Sequence, residues 1–305
     1  STNHYPSTTF ISISPILQGP AVWQPMKKTI VESLNKKKVP HTLDILNRQY
    51  GAYDVICLQE VSAAFVNSCL ESTLASTFHI VPPAVLDAKR DQNSVILLRK
   101  ATFPSGSLGE ITSDVSASFP PGEKVPVANG DILAIVTKDV SGKDYVIASF
   151  HGDTNGLATI PVVTAMVKAL SSGSLANHRL IFGLDANTYE KGDDTKQDVM
   201  EFGKAYVKLG LTSNFGDEPD RENYTTYNAR TFLQPQLNKA CKSAEKRECG
   251  DVNPKDFILF KKKDFTVVST GKDNTGTGNY IENVPFPTLE WPSDHGLLSA
   301  TLESQ

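Results

Sequence analysis

No stretch of this chain approaches the ~18 consecutive uncharged apolar residues that a membrane-spanning helix requires, which excludes that class. Basic residues are not in excess either. Lys and Arg number 30 against 34 Asp and Glu, a net charge of -4. That balance argues against a protein that coats duplex nucleic acid through a broad basic face, which needs many phosphate-neutralising cations. It leaves room for a nucleic-acid substrate gripped locally. Cysteine is scarce, with four among 305 residues. A chain of this length buries enough surface to fold without disulfides or metals, and 39% hydrophobic residues is too many for a disordered chain. Internal repeats and low-complexity tracts are absent.

The four cysteines fall into two groups. Cys57, in the apolar run Val55-Ile56-Cys57-Leu58, and Cys69, in a predicted helix, read as buried small hydrophobes. Cys241 and Cys249 bracket a charged loop and could close it as a disulfide; no C-x-x-C pair or neighbouring His favours a metal there. Asn223-Tyr224-Thr225 is a glycosylation sequon that matters only in a secreted protein. Together with a first residue that is not Met, it tilts the reading towards an extracellular or luminal location, with a trimmed cytosolic chain as the alternative.

Hydrophobic segments run from end to end and predict one large domain over residues 1–305. Short β-branched or aliphatic runs predict strands at Phe10–Ile16, Asp54–Leu58, Ser94–Leu98, Ile132–Thr137, Tyr145–Phe150, Leu180–Leu184, Phe257–Phe260 and Gly296–Leu302. Helical patterns fall at Trp23–Asn35, Thr42–Gln49, Ala63–Ala75, Pro161–Leu170 and Asp194–Leu209. Some strand pairs are too close for a helical crossover, so the expected architecture is a four-layer α/β sandwich, two packed mixed sheets flanked by helices. Asp273-Asn274-Thr275-Gly276-Thr277-Gly278 reads as a mobile surface loop.

Polar residues recur at the ends of these strands. Gln59-Glu60 follows the Val55 run, His151-Gly152-Asp153-Thr154-Asn155-Gly156 follows the Tyr145 run, and Asp185-Ala186-Asn187 follows the Leu180 run. Asp256 precedes Phe257-Ile258-Leu259-Phe260, and Ser293-Asp294-His295 precedes the last strand. Singly, each reads as a turn residue or a structural histidine. Together they gather carboxylate and amide oxygens suited to a hard cation, Mg²⁺, Mn²⁺ or Ca²⁺, rather than to Zn²⁺.

In this order the motifs resemble those of the endonuclease/exonuclease/phosphatase superfamily. Leu58-Gln59-Glu60-Val61 is similar to its metal-binding Gln-Glu motif, and Ser149-Phe150-His151 to the segment carrying a catalytic His. Gly183-Leu184-Asp185-Ala186-Asn187 is similar to Gly-Asp-x-Asn with a Leu inserted, Asp256-Phe257-Ile258 to Asp-Tyr-Ile, and Ser293-Asp294-His295 to the C-terminal Ser-Asp-His. The resemblance spans Val55 to Leu302. It implies phosphoester hydrolysis by metal-assisted in-line attack of water at one end of a two-sheet sandwich; the family does not fix the substrate, and the expected one is a phosphodiester of nucleic acid or nucleotides. Glu60 would bind the divalent cation, with Asp294 completing its shell. Asp185 would orient or deprotonate the water, Asn187 would hold a phosphate oxygen, and His295, oriented by Asp256, would contact the phosphate. His151 would support the transition state or protonate the leaving oxygen.

One departure stands out. The family carries an Asn near the end of its first strand, whereas Thr9-Phe10-Ile11-Ser12-Ile13-Ser14 has none. Between the Asp185 and Asp256 motifs, Arg230 and Lys239 could grip a second phosphate and Tyr224 or Tyr227 could stack on a base, or the segment could simply pack on the sheet. Asn155 could line the site beside His151 or belong to a turn ending at Gly156. The acidic balance favours a small or single-stranded substrate. The alternatives are a phosphomonoesterase acting on a small phosphorylated metabolite, and a non-catalytic scaffold that keeps the fold.

Overall fold

The computed structural model describes residues 20–87, 89–122, 124–171, 173–227 and 251–305, with the side chains of the first helix given from residue 36 onward apart from that of Pro25. The predicted strand at Phe10–Ile16, the candidate substrate residues Arg230 and Lys239, and the Cys241/Cys249 pair lie outside the described residues. No helix among those described is long and apolar enough to cross a membrane.

In chain order the elements are α1 (Pro20–Tyr50), β1 (Val55–Val61), α2 (Ala63–Glu71), α3 (Leu74–Thr77), β2 (Phe78–Val81), β3 (Asn93–Arg99), β4 (Gly109–Glu110), α4 (Thr112–Ala117), β5 (Ile132–Lys138), β6 (Asp144–His151), α5 (Thr159–Ala169), β7 (Arg179–Asp185), α6 (Val199–Lys208), β8 (Leu211–Ser213), β9 (Thr226–Tyr227), β10 (Val252–Asn253), β11 (Asp256–Lys261), β12 (Phe265–Asp273) and β13 (Leu297–Ser304). One sheet has the order β4-β5-β6-β7-β11-β8, and only β6 and β7 in it are parallel. That pair is joined through α5, the crossover a parallel connection needs. The second layer is built from two separate antiparallel sheets, β1-β3-β2 and β12-β13, and β9 and β10 form a further antiparallel pair, so among the described residues only the six-stranded sheet is mixed.

Burial follows the layering. β6 is buried at all but its end residues because it is covered on both faces. On one side, Phe150, Phe182 and Phe257 of the sheet pack with Val162 and Met166 of α5 and Phe202 and Tyr206 of α6. Between the layers lie Ile96, Leu98, Leu133, Ile147, Phe260 and Phe265. On the far side, Ile45, Leu46, Tyr50, Phe65, Leu97 and Trp291 join α1 and α2 to β3. The four-layer α/β sandwich expected from the sequence is therefore observed. At Gly183 the layers approach so closely that a Cβ there would lie 2.7 Å from Cys57 Cβ. Among the described residues, β1 and β13 border a groove of about 830 Å³ that runs to Glu60, Asp185 and His295.

Several boundaries differ from expectation. The two patterns Trp23–Asn35 and Thr42–Gln49 belong to one helix, α1, which continues through Pro40 although a proline removes one helical hydrogen bond. Burial of Ile45, Leu46 and Tyr50 just beyond it anchors that end. The Asp194–Leu209 pattern starts as helix only at Val199, because the Asp198 carboxylate caps it by accepting from the N–H groups of Met200 and Glu201. The Ala63–Ala75 pattern breaks at Ser72, whose hydroxyl donates to Cys69 O and accepts from Leu74 N, leaving α2 and the short α3. β2 and β12 were not expected; β12 is largely exposed along its length, which hides the apolar signal.

The largest correction concerns residues 273–278. Asp273 is 1% exposed and organises the loop, its carboxylate accepting from Thr275 N (2.7 Å), Gly276 N (2.9 Å), Gly278 N (3.0 Å) and the Tyr50 hydroxyl (2.5 Å). These bonds hold its carboxyl below the usual carboxylate range despite burial, which opposes ionisation. The loop is an anchored junction between β12 and α1. Replacing Asp273 by Ala would leave these four donors without their acceptor, two of them buried, at about 1–3 kcal/mol for each buried one, read as a lower midpoint in urea denaturation with little change in slope.

Candidate active site

Strand register assembles the site. In the parallel pair, His151 of β6 stands opposite Asp185 of β7, and in the antiparallel pair Asp185 stands opposite Asp256 of β11. Three polar residues that follow or precede apolar runs in the sequence thus end side by side at one edge of the sheet. The fourth approach is from β1. Its pairing with β3 shifts between Leu58 and Val61, and Glu60 within the shift takes a left-handed φ of 55°. Such an irregularity re-aims a side chain, and Glu60 Oε1 lies 3.3 Å from His151 Nε2.

Asp185 is the centre, at 5% exposure. Its Oδ1 accepts from Asn187 N at 2.9 Å, while Oδ2 is 3.7 Å from Nε2 of both His151 and His295. His295 Nδ1 is 2.9 Å from Asp256 Oδ2, so the imidazole is oriented with Nε2 towards Asp185. Its backbone is held as well, since His295 N donates to Ser293 Oγ and Trp291 Nε1 donates to His295 O. Asn187, with a left-handed φ of 48°, turns its amide back so that Nδ2 donates to Gly152 O at 2.9 Å. Position 152 must be glycine for this approach: a Cβ would meet Thr159 Oγ1 at 2.9 Å and the Ala186 and Asp185 carbonyls at 3.2 Å.

The electrostatics follow from burial and close charges. Burial pushes the Asp185 carboxyl up to about 6, an effect that Asp256 reinforces and that His295, His151 and Lys255 oppose. Burial works against charge on His295, but Asp256 and Asp185 outweigh it and hold the imidazole well above its ordinary value, with Asp294 contributing. Asp185, Asp256 and His295 present ligand atoms that all lie within 4.8 Å of one another, a group able to hold a metal ion. A hard cation suits the wider set of Glu60, Asp185 and Asp256 carboxylates, and it would relieve the penalty on ionised Asp185.

Of the residues singled out from sequence, Glu60, His151, Asp185, Asn187, Asp256 and His295 are brought together. Asp294 is adjacent to His295, and no hydrogen bond or ion pair engages its carboxylate among the described residues. Asn155 is exposed and sits in a turn in which Asp153 accepts from Asn155 N and Ala158 N and Gly156 N donates to Asp153 O. Its side chain makes no described contact with the cluster. Burial raises the Cys57 thiol to about 12 and the Cys69 thiol to about 11, consistent with small hydrophobes rather than nucleophiles.

Sequence reasoning missed two contributors, Thr225 and Lys255, and the contact made by Gln59 of the Gln-Glu motif. Thr225 Oγ1 accepts from the N–H groups of both Lys255 and Asp256, holding the start of β11. Gln59 Nε2 donates to Ser149 Oγ, which donates in turn to Leu58 O, tying β1 to β6. Lys255 donates from Nζ to Asn187 Oδ1. A lone Lys before an acid and an apolar run was the available signal for the last, and it is a weak one.

No protein-family model and no curated protein matches the chain. Solved structures do. The mannosyl-6-phosphatase Bt3783 of Bacteroides thetaiotaomicron superposes with a TM-score of 0.56 at 16% identity, over 88% of this chain and 91% of that one. TDP2 of D. rerio, complexed with a single-strand DNA product, gives 0.55 at 13% identity, over 88% and 92%. An endonuclease/exonuclease/phosphatase family protein of B. thetaiotaomicron gives 0.55 at 15% identity, over 88% and 89%. The chain has the endonuclease/exonuclease/phosphatase fold. On this fold the clustered polar residues occupy one end of the β-sandwich, where the ends of β1, β6, β7 and β11 meet the segment before β13.

The His295–Asp256 pair has a direct readout. In an NMR pH titration His295 should have a midpoint above 6.5, and Asp256→Asn, which removes the anion holding the charged form, should lower it.

Proposed function

We propose that this chain is a divalent-metal-dependent phosphoesterase, acting on phosphodiesters of nucleic acid or nucleotides through attack by water. The observation that carries the reading is the convergence of Asp185, Asn187, His295, Asp256, His151 and Glu60 around one buried carboxylate. That donor set has little use in a turn or a core, and burying it unpaired would be costly.

Each residue has a task its geometry allows. Asp185, ionised above about pH 6, accepts the proton of an attacking water or orients it. Asn187 directs one amide N–H to Gly152 O and the other to Asp185 Oδ2 at 3.4 Å, a long contact that it can exchange for a phosphoryl oxygen bound beside that carboxylate. His295, held charged by Asp256, donates from Nε2 to a phosphoryl oxygen and offsets the charge that develops on it. His151 stands between Glu60 and Asp185, where it can donate to the leaving oxygen. Glu60, whose side chain is 48% exposed at the groove, would hold the cation, with Asp294 as a further oxygen donor. When bound, the cation polarises the phosphoryl group and lowers the cost of its added charge.

The fold carries both kinds of substrate in its relatives, a single-strand DNA product on TDP2 and the sugar phosphate implied by the name mannosyl-6-phosphatase. The second of these supports a rival reading, a phosphomonoesterase. Comparing bis(p-nitrophenyl) phosphate, p-nitrophenyl phosphate and single-stranded DNA with Mg²⁺, Mn²⁺ or Ca²⁺ separates them: diester and DNA cleavage is expected to dominate and to stop with EDTA. Asp185→Ala and His295→Ala should each reduce kcat by about 10²- to 10⁴-fold. Activity retained in both would remove the assigned site.

The pH profile should be bell-shaped. Rate falls on the acid side as Asp185 becomes protonated, at or below pH 6 because a bound cation favours the carboxylate. It falls on the alkaline side as His295 loses its proton, above pH 6.5, and Asp256→Asn should draw that limb to lower pH.

A further inference from the structure

Lys255 has no part in the chemistry above, yet it is placed where few lysines are found. Its side chain is 6% exposed, and a buried ammonium is expensive unless its donors are satisfied. Here Nζ lies 2.9 Å from Asp251 Oδ2 and 3.0 Å from Asn187 Oδ1, and 5.4 Å from the centre of the Tyr189 ring. Two of its three donors are taken by these oxygens and the side chain is buried beside the ring, so the ammonium is not offered to a substrate. Asp251 and Asp185 keep it charged against the effect of burial.

An ammonium only donates. Facing Asn187, it can be satisfied by the amide oxygen and not by the amide nitrogen, which fixes the flip of that side chain. The nitrogen is then turned the other way, to Gly152 O at 2.9 Å and Asp185 Oδ2 at 3.4 Å. Asn187 is held at both ends, on a residue whose φ of 48° already departs from the usual regions. We infer that Lys255, carried by Asp251, is a positioning residue that clamps the Asn187 amide so that its N–H faces the reacting centre. The inference rests on the proposed phosphoesterase site for its functional consequence, but the clamp itself is a property of the folded protein.

A lysine serving only as a buried ion-pair partner of Asp251 would have no need of Asn187, and the two roles are separable by experiment. In Lys255→Met the ¹⁵N-correlated Nδ2 amide signals of Asn187 should shift and lose intensity through exchange between orientations, while the signals of β6 and β7 backbone amides persist. Turnover should fall about 10- to 100-fold in kcat with KM changed less than about twofold, the size seen when a residue orienting an active group is lost. Lys255→Arg, which keeps a donor-only group, should recover part of both readouts. Asp251→Asn, which leaves the ammonium in place with a weaker support, should move both in the same direction by less, and it serves if Lys255→Met does not fold.

Unchanged Asn187 amide signals in folded Lys255→Met, or in Asp251→Asn if that variant stands alone, would overturn the clamp. So would a rise in KM at constant kcat. If the wild-type protein hydrolyses no phosphoester at all, the functional reading fails while the amide signals still decide the clamp.

Discussion

The pairing of β7 with β6 on one side and β11 on the other is the constraint on which the rest of the site depends. A parallel neighbour and an antiparallel neighbour end at the same edge only in particular registers. Here those registers align His151, Asp185 and Asp256 in one row. A one-residue slip in either pairing would turn the polar end residue to the opposite face and carry every core residue of that strand with it. Phe150, Leu184 and Phe257 oppose such a slip, because each is buried next to the polar residue it positions. The core therefore specifies the site, and the apolar residues nearest the ends of these strands also determine where its charges lie.

The second constraint is electrostatic. Asp185 and Asp256 are brought close to two imidazoles and a buried ammonium, an arrangement in which each charge is tolerated because of its neighbours. Asp185 pays for its central position with a raised affinity for a proton, and His295 gains one. Opposed shifts of this kind in one small volume are concentrated at functional sites, and structural ion-pair networks produce them as well. The left-handed backbone at Glu60 and Asn187 points the same way. Strain of that sort persists where surrounding structure over-determines it.

Much of this was legible in the chain. Runs such as Val146-Ile147-Ala148-Ser149-Phe150 and Leu180-Ile181-Phe182 are apolar on both faces, the pattern of strands covered on both sides, and they lie where expected. The polar ends of those runs were visible for the same reason: an ionisable residue abruptly ending an apolar strand breaks the local pattern. Other features had no such contrast. β12 alternates weakly because most of it faces solvent, and α1 contains Pro40, which locally favours a break. The residues 273–278 have the composition of a mobile loop, yet Asp273 finds Tyr50, 223 residues away, and closes on it.

By itself the sequence determined the strands β1, β3, β5, β6, β7, β11 and β13, the α/β class, and which polar residues stand at their ends, because these follow from local hydrophobic pattern and from chemistry carried by single residues. Only the tertiary structure decided which of those ends meet. The charge on Asp185 and His295, the orientation of Asn187 and the use of Lys255 are consequences of distances between residues far apart in the chain. Dielectric, hydrogen-bond geometry and charge coupling exist only once the layers have closed around them.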